Sequence, residues 1–444
     1  MSEGSPTLCS PRRQYPPGFR PRRGLNWGIL GLMYTSYYLC RYNLPMANAA
    51  ICAEFGFSKS QISSIISLFF IAYACGQVIN GLLVDRLGGK TGMLIGAAGT
   101  IVGNALFGAA SFWGLLWLFA LIRGIDGYMQ AFGAPSFIKI NAAWFSKTER
   151  GTFAGVFGFM INLGRFGINY FGAAILGGVV FLGIWHIPPQ HWRWVFWIPA
   201  LVATSVAILL AVFVEDTPEQ AGFAGVMGDE EDHAVVSGKT EISVVFHQVF
   251  FNPVVWVIAA AYACTGVVRQ SIDQWFPRYL AEVRHLDFKS SAFQLTGVLI
   301  PFVASAGSLI SGIVSDRLFQ GRRAPVALGI YVLEVIVILI AAQARSTPAI
   351  IAAFVAISFT ANSTHSLLGP AAAMDIGGRQ AAAFASGVID SFQYFGAGIG
   401  LKLLGYLLDF GWGYYFYFMA PFGVIGALFM WRIAHRRSLK KGGN

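Results

Sequence analysis

GLLVDRLGGK at residues 81–90 returns as SGIVSDRLFQGRR at residues 311–323, a G-x-x-x-D-R turn met twice in one chain, with Asp85 matching Asp316 and Arg86 matching Arg317. The two acids stand 231 residues apart. Working outward, Arg41 pairs with Arg269 at a separation of 228, and Arg150 with Arg379 at 229. Three anchors in nearly one register make an internal repeat, so the chain reads as one unit written twice.

Composition says what the unit is made of. Of 444 residues, 56% are hydrophobic and 12% charged, where a soluble domain carries roughly a quarter charged residues. Apolar stretches long enough to cross about 30 Å of hydrocarbon as helix begin near Leu25, Gln61, Thr91, Trp113, Thr152, Trp194, Pro253, Ala292, Ala324, Pro348, Ala381 and Tyr414. The expectation is an all-α membrane protein of twelve transmembrane helices in two pseudo-symmetric halves of six. The reading divides the chain into a basic tail (1–24), a first bundle (25–214), a polar linker (215–250) that contains GDEEDH, a second bundle (251–433) and a basic tail (434–444).

Charge orients the bundle. PRRQYPPGFRPRR, DRLGGK, FSKTERG, DRLFQGRR and RIAHRRSLKK all fall on one side of an even number of spans, which places both termini in the cytosol by the bias of Lys and Arg. The N-terminal segment lacks a short apolar core and a cleavage site, so no cleaved signal peptide is read there. The net charge of +10 is then topology plus attraction to lipid headgroups, and nucleic acid is not an expected partner. The five scattered cysteines show no CxxC pairing, and no metal or cofactor is expected. HExxH, GxSxG and GxxxxGK[ST] are absent from the sequence, so neither an enzyme nor an ATP-driven pump is read. The seven histidines are placed mostly in loops or span ends.

Arg41, within YYLCRYN (37–43), sits about sixteen residues into its span, roughly 24 Å of helix. A cation in a spanning helix costs at least about 2.5 to 3.5 kcal/mol. Snorkelling to the interface or a structural ion pair would offset that. Arg269 lies about as deep in its own span, and symmetric halves would bring both guanidiniums to one central cavity. Forked, permanently charged donors there suit a dianion with phosphate-like oxygens.

The two halves with their GxxxDR turns resemble the major facilitator superfamily. Within it, YYLxRxN (37–43), GF then S (56–58), GYMQAFGAPS (127–136), WFSKTERG (144–151), DTPEQAG (216–222) and RQSIDQWFPRYL (269–280) resemble the organophosphate:phosphate antiporters. The resemblance implies that Arg41 and Arg269 clasp the phosphate of a small anionic phosphorylated substrate, with inorganic phosphate as counter-substrate. It implies alternating access, a monomer, and a bacterial inner membrane. Asp85, Arg86, Asp316 and Arg317 are assigned to gating.

The chain also departs from that family. Ile161 stands where the fifth-span signature has histidine, Phe157 and Gly158 replace its WN, and Arg165 replaces a glycine; Gln77 and Tyr42 stand where members carry lysines. Arg165, one turn beyond Ile161, either supplies a third cation or pairs with an acid on a neighbouring helix. Asp390 binds substrate hydroxyls, neutralises an arginine or carries a proton, on a face shared with Gln393 and Tyr394. Asp273, one turn from Arg269, is expected to pair with it at rest. Tyr34, Tyr38 and Tyr42, and Tyr73, Gln77 and Asn80, form polar stripes that either meet a sugar or glycerol moiety or pack the bundle. Arg123 and Asp126 are expected to pair with each other outside the site. Two other readings stay open: a proton-coupled carrier of a carboxylate or sugar acid, and a membrane sensor of a sugar phosphate acting through a separate partner.

Overall fold

The computed structural model describes residues 15–145, 147–181, 185–223, 225–226 and 251–441, with side chains at 147–157, 181, 185, 370–386 and 436–441 outside the described set. Arg150 and Arg379 of the repeat and GDEEDH of the linker fall outside these residues or side chains.

Twelve helical spans cross the described chain. The first runs as Phe19–Arg41 and Asn43–Phe55, the second Lys59–Leu87, the third Gly89–Ala109, the fourth as Leu116–Gln130 and Gly133–Trp144, the fifth Lys147–Leu176 and the sixth Trp194–Phe213. The second half repeats them: Pro253–Val283, Ser291–Arg317, Arg323–Gln343, Thr347–Ser366 with a π turn at Leu367–Ala371, Ala372–Phe410 and Tyr414–Lys441. A short antiparallel hairpin (Val179–Phe181 with Trp185–Ile187), which the sequence reading lacks, joins the fifth span to the sixth. Spans three, six, nine and twelve turn apolar side chains outward, such as Val102, Val212, Ile340 and Leu428, as lipid-facing helices do.

Local chemistry sets the ends. Ser58 caps the second span in a reciprocal box with Gln61, and Ser290 caps the eighth through Phe293 N. Proline sets the breaks. Pro45 and Pro135 have no N–H to give the carbonyls four residues back, those of Arg41 and Ala131, so the first and fourth spans each break there.

The repeat is legible in the packing. In the first half Gly164 of the fifth span presses on the first, where an added Cβ would lie 2.5 Å from Thr35 O; in the second half Gly396 of the eleventh presses on the seventh, 2.4 Å from Ala263 O. Small residues let helices approach this closely. Gly396→Ala is therefore expected to lower stability by about 1–3 kcal/mol, read as a lower melting temperature in detergent. Gly81→Ala, with nothing within 4 Å of its added Cβ, is the control and should melt as wild type.

Candidate functional site

The break at Tyr42 builds the first wall. With Pro45 unable to donate, the Arg41 carbonyl accepts instead from Arg123 Nη2 (2.6 Å), and Arg123 Nη1 also donates to the Cys40 carbonyl (3.2 Å). Arg123 pairs with Asp126 at 2.7 Å, as expected from the sequence. Asp126 accepts from Gln130 Nε2 (3.0 Å), and Gln130 Oε1 accepts from Arg41 Nε (3.0 Å). The fourth span thus holds both the backbone and the side chain of Arg41. Its guanidinium lies over Tyr73 (4.3 Å) and Tyr38 (4.6 Å), a cation–π setting.

Arg269 is held in the same manner from the other half. Its Nε donates to Asn362 Oδ1 of the tenth span (3.1 Å), while Asn362 Nδ2 donates to the Ser358 carbonyl (2.8 Å) and orients the amide. Gln130 and Asn362 stand 232 residues apart, so the repeat extends from the arginines to the carboxamides that position them. Both arginines are interior, 2% and 4% exposed, which excludes snorkelling. Among the described residues neither has a carboxylate within 4.0 Å. Tyr38 and Tyr394 lie within electrostatic reach of both guanidiniums, and Tyr73 meets Tyr394 across the halves at 4.5 Å. The two cations therefore share one aromatic-walled centre.

The structure chooses between alternatives at Arg165 and Asn80 and corrects the expectation for Asp273. Arg165 is not a free third cation: Nη2 pairs with Asp273 Oδ1 and Nη1 donates to Asn162 (3.1 Å). Asp273 is consequently not the resting partner of Arg269, although it lies one turn away; the fifth span presents Arg165 to it across the halves. Both members of the Arg165–Asp273 pair are buried. Asn80 donates to the Tyr128 carbonyl (2.9 Å) and ties the second span to the fourth.

Asp390 sits between Gln77 Nε2 (3.5 Å) and the Tyr262 hydroxyl (3.4 Å), both at the long limit of a hydrogen bond. Tyr262 continues to His365 Nδ1, which also meets Gln393 Nε2 at 3.1 Å. His365 lies in the last turn of the tenth span, three residues after Asn362 and half-buried, a span-end histidine that faces the centre. Tyr42 approaches Gln270 Nε2 at 3.3 Å across the halves. Tyr262, Asn362, Gln130 and Gln270 escaped the sequence reading; the repeat offset linking Gln130 to Asn362 is the signal that would have found two of them.

The two ends of the bundle differ. Near Lys59, Asp409 accepts from the backbone N–H of Lys59 (2.7 Å) and Ser60, and Ser67 donates to the Gly398 carbonyl (2.7 Å). Arg278 reaches Asn48 (2.7 Å), while Glu282 gathers Arg278, Trp412 and Lys59. This end is sealed. Among the described residues, no hydrogen bond or ion pair joins the halves on the Asp85 side of Gln77–Asp390 and Asn162–Ser305. Asp85 and Arg86 are exposed, with Lys139 Nζ donating to the carbonyls of Val84 and Asp85 (both 2.9 Å). Asp316 pairs with Arg323 at 3.3 Å, across its own turn. The DR turns thus lie at the end of the bundle opposite the sealed one.

Residues 30–401 match the family model described as Major Facilitator Superfamily. The chain belongs to this superfamily. It is an integral, multi-pass membrane protein, and eight of its helices meet the length and apolarity needed to cross a membrane among the described residues. Superfamily relatives similar to it include a glycerol-3-phosphate transporter of Bacillus subtilis, 27% identical over 89% of each chain. A membrane sensor protein UhpC of Salmonella typhimurium is 28% identical over 90% of this chain and 88% of its own. A phosphoglycerate transporter protein of Salmonella typhimurium is 26% identical over 92% and 88%. The fold matches the crystal structure of a bacterial homolog to the human lysosomal transporter Spinster, inward-facing and unoccupied, with a TM-score of 0.71 at 16% identity, covering 93% of this chain and 95% of that one.

Proposed function

We propose that the protein is a secondary active transporter that exchanges an organic phosphate for inorganic phosphate by alternating access. The observation that carries this reading is the pair Arg41 and Arg269, one from each half, buried at a shared centre without a carboxylate partner among the described residues. Burying a charge without compensation costs several kcal/mol, so an empty site is incomplete and a dianion completes it. Forked guanidiniums match phosphate oxygens better than a point charge does. The names of the relatives, transporters of glycerol phosphate and phosphoglycerate, support the same class.

Exchange follows from the electrostatics. Rocking the halves to a closed intermediate brings two like charges into a drier setting, which a bound dianion makes accessible and an empty site does not. The end that carries the DR turns and the basic loops faces the cytosol of a bacterial inner membrane.

Phosphate-loaded vesicles carrying the purified protein should take up labelled glycerol phosphate or glucose phosphate, and vesicles without internal phosphate should not. The Asp390–Tyr262–His365 chain favours one rival, a proton-coupled carrier. Uptake that ignores internal phosphate and collapses with an uncoupler selects that rival. Binding without any flux selects a sensor.

A further inference from the structure

The centre has a second kind of incompleteness. Asp273 Oδ2 and Gln393 Oε1 are buried and have no hydrogen-bond partner. Their other polar atoms are engaged, Asp273 Oδ1 by Arg165 and Gln393 Nε2 by His365. Asp390 adds a carboxylate whose two hydrogen bonds are long. A buried acceptor left without a donor is unfavourable, and a phosphoryl group, itself made of acceptors, cannot relieve it. The guest must bring N–H or O–H donors at its other end.

Charge separates the two kinds of donor. Arg123 and Asp126 cancel, as do Arg165 and Asp273. Glu334, the other buried acid among the described residues, packs near Thr360 and Gly423, in the region of spans nine, ten and twelve. Among the described residues, Arg41 and Arg269 against an ionised Asp390 then leave the centre with one net positive charge. A dianion alone would overshoot by one negative charge, and an ammonium on the same guest would restore neutrality where a hydroxyl would not. Asp273 lies four residues beyond Arg269, about 6 Å of helix rise, which is the reach of a two- or three-carbon chain.

We propose that the substrate is an amine-bearing phosphate monoester or phosphonate, held by Arg41 and Arg269 at its anionic end and by the free oxygen of Asp273 at its ammonium. This rests on the transport reading above and narrows its substrate class.

The test compares isosteres in vesicles that exchange labelled phosphate. Phosphoethanolamine is set against propyl phosphate, and 2-aminoethylphosphonate against propylphosphonate, each pair differing by an ammonium in place of a methyl. The amine compound should inhibit exchange at a concentration at least about tenfold lower, the value of one charge-assisted hydrogen bond. In the charge-conserving double variant Arg165→Gln/Asp273→Asn that preference should fall to within about threefold of unity.

If this variant does not exchange phosphate, the preference is read from thermal shifts of the purified protein with each compound. If it does not fold, the wild-type ratio decides. Equal inhibition by amine and isostere in the wild type overturns the proposal, as does a preference that survives the double substitution. Absence of phosphate exchange in the wild type would instead sink the exchanger reading, and thermal shifts with the same four compounds would still show whether the ammonium is recognised.

Discussion

Arg41→Lys and Arg269→Lys each lower the initial rate of phosphate counterflow by at least about a hundredfold, although the charge is conserved. Lysine ends in a compact ammonium and has no Nε to donate to Gln130 or Asn362. Each variant therefore loses its anchor and one of the two bonds that a fork makes to phosphate. Two charge-assisted hydrogen bonds at about 1.5 kcal/mol or more each account for that factor. The rings of Tyr38 and Tyr73 still face a cation at position 41, so the variants should purify with wild-type yield and monodispersity. Counterflow within about threefold of wild type in either variant would remove the phosphate clamp.

Arg123→Met is expected to be the most destabilising single change near the site, at about 3–5 kcal/mol, because it strands Asp126 as an uncompensated buried charge. It also strips the Arg41 carbonyl of the donor that replaces the missing N–H of Pro45, and the Cys40 carbonyl of a second bond. Adding Asp126→Leu should recover much of the melting temperature, since an apolar pair can substitute for a buried ion pair. Transport should not recover with it. Gln130 loses the carboxylate that orients its amide, and Arg41 loses the support of both backbone and Nε. A double variant that regained stability and flux together would show that the Arg123–Asp126 pair serves the fold alone and has no part in positioning Arg41.

The relation between the halves was partly legible. The offset shared by Arg41 with Arg269 and Asp85 with Asp316 predicts two matched bundles, and the structure repeats that offset in Gln130 with Asn362 and in the carbonyl contacts of Gly164 and Gly396. The i, i+3 pairing of Arg123 with Asp126 was legible too, because it lies within one helical turn. Asp273 was not. Its spacing from Arg269 permits an intrahelical pair, but Arg165, 108 residues earlier in the chain, occupies the carboxylate. His365 carries no local mark of its place among Tyr262 and Gln393.

The sequence by itself determined twelve spans, their duplication, and the presence of arginines too deep to be accidental. Hydropathy and the penalty for charge in lipid act along a single helix, and so can be read without neighbours. Only the tertiary structure decided which cations are neutralised and which remain bare. Carboxylate partners are chosen by distances between helices and by the rotation of each helix about its axis, and at Tyr42 the break that sets that rotation is completed by Arg123 from another span. The difference between Arg165, which is paired, and Arg41 and Arg269, which have no carboxylate partner among the described residues, arises there.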